Sequence, residues 1–186
     1  MNNVWEVWPA ALSAEECETI TRRAECYEAQ AATVGFADSA RLDANFRSST
    51  VRWLDAGSEQ AIIERLMQFV RSSNRTNFGV EIAAPYELQF TEYHGSAEGR
   101  YGWHQDVWLE SDRAFDRKLS VVVQLSDAED YAGGKFEFFG LPDPGGPFAA
   151  RGSILIFPSF LQHRVLPVTA GLRRSLVTWI EGPRWR

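Results

Sequence analysis

A chain of 186 residues, 45% hydrophobic and 24% charged, is large and apolar enough to bury a substantial core. Its net charge of −6 and pI near 5.1 disfavour nucleic acid as a partner, because phosphate backbones draw basic surfaces. No apolar run reaches the length of a membrane span, and "MNNVWEVWPAALSAEECE" lacks the basic start and unbroken apolar core of a signal peptide, so a cytoplasmic location is expected.

The first element is a helix over 13–31. Ser13 and Glu16 form a capping-box pair, and Leu12, Cys17, Ile20 and Ala24 recur at helical spacing. Cys17 and Cys26 would then lie about 13 Å apart along one helix, too far for a disulfide, and are expected as free thiols. Residues 32–46 show no periodicity and read as a mobile loop, and "RSSTVRWL" (47–54) alternates like a strand. "AGSEQAIIERLMQFVRSSNR" predicts a second amphipathic helix, with Ile62, Ile63, Leu66, Met67, Phe69 and Val70 apolar.

After residue 80 the pattern changes to short strands. "YELQFTEYH" (86–94) alternates as a half-buried strand, and "KLSVVVQLS" (118–126) reads as one buried on both faces. "GGKFEFFG" (133–140), "GSILIFPS" (152–159), "HRVLPV" (163–168) and "RRSLVTWIEG" (174–182) follow, with "LPDPGGPF" (141–148) as a turn cluster. Helices first and strands after predict an α+β chain, mainly β, closing as a sandwich or barrel. A single domain, 1–186, is expected, with 1–80 as a helical N-terminal support and 81–186 as the β core.

Three histidines are present: His94, His104 and His163. Residues i and i+2 of an extended chain project to one side, so His104 and Asp106 can reach one ion. A His-x-Asp alone is more often a hydrogen-bonded pair, but with His163 it makes two imidazoles and a carboxylate, the facial set of non-haem Fe(II) oxygenases. A hairpin turn at Thr169-Ala170-Gly171 would set Arg173 on the strand after that of His163, aimed at the same cavity. A buried arginine there calls for an anion. Arg174 should face solvent. His94 reads as a loop residue, and Trp179 as core. Trp103, Trp108 and Tyr101 stay open between core and cleft, and Arg47 and Arg100 between substrate contact and none.

His104-x-Asp106, His163 and, ten residues on, Arg173 resemble the Fe(II)/2-oxoglutarate-dependent dioxygenases, and within them the prolyl-4-hydroxylase-like branch. The resemblance lies in "QFTEYHGSAEGRYGWHQD" (89–106), "LSVVVQLSDAEDYAGGKFEFF" (119–139) and "GSILIFPSFLQHRVLPVTAGLRRSLVTWI" (152–180). The last block, like "RSSTVRWL", is similar to the PKHD-type hydroxylases. It implies a double-stranded β-helix (jelly-roll) core with N-terminal supporting helices. It implies His104, Asp106 and His163 as metal ligands, and Arg173, Tyr93 and Ser175 as the site of 2-oxoglutarate. Fe(II), 2-oxoglutarate and O2 are the implied cofactors, with ascorbate as an addition. Gln124 stands where some relatives carry a second tyrosine, and Arg173 where many prolyl 4-hydroxylases carry lysine.

The implied reaction is hydroxylation of an unactivated C–H bond, most simply of a prolyl residue in a peptide or protein. Hydroxylation of a free amino acid or other small molecule and AlkB-like demethylation of nucleic acid remain open. So does a non-enzymatic cupin- or lectin-like jelly roll. Residues 32–46 and 107–117 are candidate lids. Oligomeric state is not legible in the sequence.

Overall fold

Alternating apolar residues in the C-terminal half become two antiparallel sheets laid face to face. A computed structural model describes residues 4–35, 40–83, 85, 87–107 and 114–185. In chain order the strands are β1 (Glu6–Trp8), β2 (Gln30–Ala31), β3 (Arg47–Ser48), β4 (Thr50–Asp55), β5 (Glu87–His94) and β6 (Arg100–His104). They continue as β7 (Phe115–Gln124), β8 (Tyr131–Gly133), β9 (Phe136–Phe138), β10 (Ile154–Pro158), β11 (His163–Val165) and β12 (Val168–Pro183). The helices are α1 (Ala14–Ala24), α2 (Gln60–Ser73) and the short α3 (Gly145–Ala149). The larger sheet runs β1-β10-β7-β12-β5-β4-β2, with β8 on the start of β12, and the smaller runs β3-β6-β11-β9. This is the jelly roll with N-terminal helices expected from the sequence. The first 80 residues also add strands to both sheets, through β1 to β4.

The period-2 geometry of β7 explains the layering. Leu119, Val121 and Val123 face the helices, where they join Ile63, Leu66 and Val70 of α2 and Cys17 and Ile20 of α1. Val122 faces the smaller sheet, where Phe136, Phe138, Phe157 and Val165 form a second cluster. Both faces are buried, as the unbroken β-branched run predicts. Burial of each such side chain contributes about 1.5–3 kcal/mol, so neither layer is stable without the sheet between them.

Three expectations are corrected. Helix α1 has its capping box, with Ser13 Oγ accepting from the Glu16 amide at 3.1 Å, but it ends at Ala24 rather than at 31. The chain turns because Cys26 and Tyr27 make tight i→i−3 bonds. Tyr27 is also held by tertiary contacts, its hydroxyl donating to Glu59 at 3.0 Å and its carbonyl accepting from Arg52 at 2.6 Å. Strand β5 is buried on both faces from Leu88 to Tyr93, not half-buried, since its polar side lines an internal cavity. Finally, Thr169-Ala170-Gly171 is not a hairpin turn. These residues lie within β12, which pairs with β8, β7 and β5, while β11 pairs with β6 and β9 in the other sheet. Gly171, at φ +69°, is needed because a Cβ there would sit 1.9 Å from the Asp130 carbonyl oxygen of the neighbouring segment.

The expected loop at 32–46 holds a Val34–Arg41 bridge, with 36–39 outside the described residues. Most of the second candidate lid, 108–113 with Trp108, also lies outside them. Cys17 is buried and Cys26 exposed, both free. Among the described residues no helix is long and apolar enough to cross a membrane.

Candidate metal centre

His104 ends β6 and His163 begins β11, and the two are direct cross-strand partners. Pairing sets their rings 4.1 Å apart, centroid to centroid. Asp106, just beyond β6, is held by its amide donating to the Ser159 carbonyl at 2.9 Å. Its Oδ2 accepts from the Ser120 hydroxyl at 2.6 Å, and Ser159 Oγ lies 3.0 Å from that hydroxyl. One possible ligand atom from each of His104, Asp106 and His163 lies within 4.8 Å of the others.

The hydrogen bonds fix what this cluster can accept. Nδ1 of His104 lies 2.8 Å from the Gly102 carbonyl, and Nδ1 of His163 lies 2.8 Å from the Leu161 carbonyl. A carbonyl only accepts, so each Nδ1 carries a proton and Nε2 is the ring atom turned toward Asp106. Those Nε2 atoms face Asp106 at 3.7 and 3.6 Å. Burial, reinforced by His163, pushes His104 down to about 3, so its ring is neutral at pH 7. Burial alone would push the Asp106 carboxyl up, but the two imidazoles, the Ser120 hydroxyl and Arg117 together hold it below its ordinary value. The neutral His104 ring, the His163 ring and the Asp106 carboxylate therefore converge on one point, with no proton between Asp106 and His104. Such a group of acceptors attracts a cation. The residues fit a divalent metal: the donor set suits Fe(II) with open coordination positions, and the backbone carbonyls orient both rings.

Arg173 sits on β12 opposite Tyr93 of β5. It is 2% exposed, its guanidinium lies 5.5 Å above the Tyr93 ring, and among the described residues no carboxylate pairs with it. Ser175, two residues on and 1% exposed, shares its face. Tyr93 is buried, and burial pushes its hydroxyl above the ordinary tyrosine value, which keeps it a neutral donor. These three residues and the His–Asp–His cluster line one cavity of about 400 Å³. Arg174 points the other way, partly exposed, onto Glu92 at 3.3 Å.

The aromatic residues divide. Tyr101 lines the cavity and stacks on His104 at 3.5 Å, and burial pushes its hydroxyl up to about 12. Trp103 belongs to neither core nor cleft, since Arg164 covers its ring at 4.4 Å and exposed Phe139 abuts it at 5.5 Å. Trp179 is buried as expected, but in the cavity wall, with the Arg117 guanidinium 3.8 Å over its ring. Arg47 also lines the cavity, 4.3 Å above the Tyr101 ring and 3.3 Å from Gln89 Oε1. Arg100 braces the backbone carbonyls of Ala44 and Asn45, and His94 lies exposed at the end of β5. Sequence reasoning missed Ser120, Gln89, Trp53 and Arg117. The available signal was polar residues alternating into buried strands, at Gln89, Thr91 and Ser120.

Comparison with known proteins agrees with this geometry. Residues 88–181 match the family model of the 2OG-Fe(II) oxygenase superfamily. A curated PKHD-type hydroxylase of Synechococcus elongatus is 32% identical over 126 residues, covering 64% of this chain and 56% of its own. One from Acidovorax ebreus is 31% identical over 134 residues, covering 69% and 58%. The chain thus spans a little over half the length of these curated relatives. A Pseudomonas putida prolyl-4-hydroxylase shares the fold at TM-score 0.71 and 21% identity, over 98% of this chain and 94% of that one. A Trichoplax adhaerens prolyl hydroxylase, solved in complex with a hypoxia inducible factor oxygen degradation domain peptide fragment, does so at TM-score 0.68 and 18% identity, over 96% and 83%. With the family model running along half of the sequence, across the strands that carry both histidines and the buried arginine, the chain belongs to the 2OG-Fe(II) oxygenase superfamily.

Proposed function

We propose that this chain is an Fe(II)- and 2-oxoglutarate-dependent dioxygenase that hydroxylates a prolyl residue of a peptide or protein. One observation carries the reading. A cluster of acceptors that needs a cation and a buried arginine that needs an anion line the same cavity. A 2-oxo diacid has both complementary ends, a chelating 2-oxocarboxylate for the metal and a far carboxylate for Arg173. When bound, the iron supplies the redox chemistry that couples oxidative decarboxylation of 2-oxoglutarate by O2 to hydroxylation of a C–H bond.

The remaining steps belong to this chain. His104, Asp106 and His163 would hold the metal through Nε2, a carboxylate oxygen and Nε2. Ser120 keeps Asp106 Oδ2 in place, and the Gly102 and Leu161 carbonyls keep both rings turned. Arg173 would grip the far carboxylate, with the Ser175 hydroxyl beside it and Tyr93 as a neutral donor. The apolar walls Val122, Phe136 and Val177 keep water from the reacting end.

Substrate choice would rest on the residues further along the same walls. Trp53 and Trp179 supply flat faces, and Arg47 and Arg117 supply fixed donors. Rings that pack a pyrrolidine and donors that take backbone carbonyls suit an extended prolyl peptide. The PKHD-type names of the curated relatives and the peptide bound by the Trichoplax enzyme support that choice.

The test is release of succinate from 2-oxoglutarate with Fe(II), across a panel of proline-containing peptides and free amino acids. Turnover stimulated by a prolyl peptide is expected. Arg173→Ala should lose it at sub-millimolar co-substrate, while Arg174→Ala, on the opposite face, keeps it. Equal loss in the two variants would show that Arg173 does not grip the co-substrate.

A further inference from the structure

The two histidines of the metal cluster are held in different ways. His163 is 3% exposed and lies among core rings, with Phe136 stacked on it at 5.3 Å and Phe157 edge-on at 4.8 Å. His104 has no such cage. Among the described residues the rings against it are His163, at 4.1 Å, and Tyr101, parallel to it within 13° at 3.5 Å.

The backbone of β6 accounts for that stack. Tyr101 and His104 are three apart, and residues i and i+3 of a regular strand face opposite ways. Here the pairing slips. His163 is matched to His104 but Val165 to Tyr101, so three steps along β6 answer two along β11. Such a bulge turns both rings to one side. Gly102 lies inside it, and a Cβ there would sit 2.7 Å from Phe46 Cε2, so the glycine leaves room for the Phe46 ring.

Two residues from the first 80 then clamp the Tyr101 ring. Phe46 meets it edge-on at 5.9 Å and 82°. Arg47, the cross-strand partner of Tyr101 on β3, sets its guanidinium 4.3 Å from the ring centre. His104 already fills one face at 3.5 Å, so the guanidinium takes the other. Arg47 is itself anchored, donating to the Thr33 carbonyl at 3.1 Å and to Gln89 Oε1 at 3.3 Å. The bond from His104 Nδ1 to the Gly102 carbonyl fixes which nitrogen carries the proton, but one bond lets the ring swing about it. A flat neighbour stops that motion.

We propose that Tyr101 is a positioning residue of the metal centre. Clamped by Arg47 and Phe46, its face holds the His104 imidazole at the angle that aims Nε2 at the metal. The inference rests on the metal-binding part of the proposed function, and it gives the N-terminal segment a share in a site to which it supplies no ligand.

Calorimetric titration with Co(II), and the visible d–d spectrum at saturation, test this. Tyr101→Phe keeps the ring and should match wild type in both. Tyr101→Leu removes the flat face and should bind Co(II) about ten-fold more weakly, the usual effect of losing a group that orients a ligand. Its spectrum should shift as well, which lost stability alone would not cause. Arg47→Ala, at a partly exposed position, should weaken Co(II) about three-fold, the worth of a cation–π contact. Removing a positive charge near a cation would by itself tighten binding, so unchanged or tighter binding by Arg47→Ala would overturn the inference. Wild-type affinity and spectrum in Tyr101→Leu would overturn it too, as would an equal loss in Tyr101→Phe, which would point to the hydroxyl instead. A wild-type protein that binds no Co(II) would overturn the metal site, and this inference with it.

Discussion

At the scale of single residues, Asp106 is the informative one. It is 7% exposed, faces Nε2 of both imidazole rings, and takes one short bond from Ser120. An ordinary structural His–Asp pair shares a proton, and its loss destabilises. Here both Nδ1 protons point to backbone carbonyls, and the imidazoles, Ser120 and Arg117 hold the buried carboxyl below its ordinary value. A carboxyl lowered by folding stabilises at neutral pH. Asp106→Asn should therefore lower the melting temperature of the metal-free protein at pH 7, with the gap closing as the pH falls below the ordinary carboxyl value. Differential scanning calorimetry after chelation checks this, and a higher melting temperature in the variant would show that the carboxylate strains the metal-free fold. The histidines, Asp106 and Arg173 were visible in sequence because i, i+2 spacing and a familiar order of residues carry local information. Ser120, Gln89 and Arg117 were not. Their roles come from partners on other strands, such as Asp106 for Ser120 and Glu87 for Arg117.

At the scale of elements, local signals predicted what forms, and tertiary contacts decided where it stops. Helix α1 begins where its capping box says, and ends early because Tyr27 is claimed by Glu59 and Arg52. The polar face of β5 looked solvated, because in sequence a cavity wall and a wet surface share one alternation. The connection from β11 to β12 was misread because neighbouring strands in sequence usually pair, whereas here the chain passes from one sheet to the other. The capping box carries a pH dependence. The Ser13 backbone N–H, donating to the carboxylate, is the main reason that the Glu16 carboxyl sits below its ordinary value, with Arg65 adding to it. A carboxyl lowered by folding stabilises above its unfolded value of 4.5, and that contribution fades as pH falls through the folded one. Glu16→Gln keeps an acceptor for the Ser13 amide but loses the charge. Wild type should exceed it in melting temperature at neutral pH, and the gap should close below pH 4.5. A gap independent of pH would deny the charge a role. Ser13→Ala should cost about 1 kcal/mol at any pH.

At the scale of the whole molecule, the larger sheet separates two tasks. One face is closed by α1 and α2 and carries the apolar packing that makes the fold stable. The other meets the smaller sheet around the cavity, where buried polar groups such as Gln89 and Ser175 are tolerated because they line a site, and Thr91 and Ser120 because they hydrogen-bond to Gln89 and Asp106. The sequence conveyed this architecture through the unbroken run of β7 and the strand spacing that follows it. It did not convey that the first 80 residues would extend both sheets, since β1 and β3 are too short to carry a pattern of their own.

The central claim is that His104, Asp106 and His163 form one metal site. Anaerobic calorimetric titration of Fe(II) into wild type and Asp106→Asn tests it most directly. The account predicts one equivalent bound per wild-type chain and at least a hundred-fold weaker binding by the variant, whose folding is checked by circular dichroism. Equal Fe(II) affinity in the two proteins, or none in either, would contradict it.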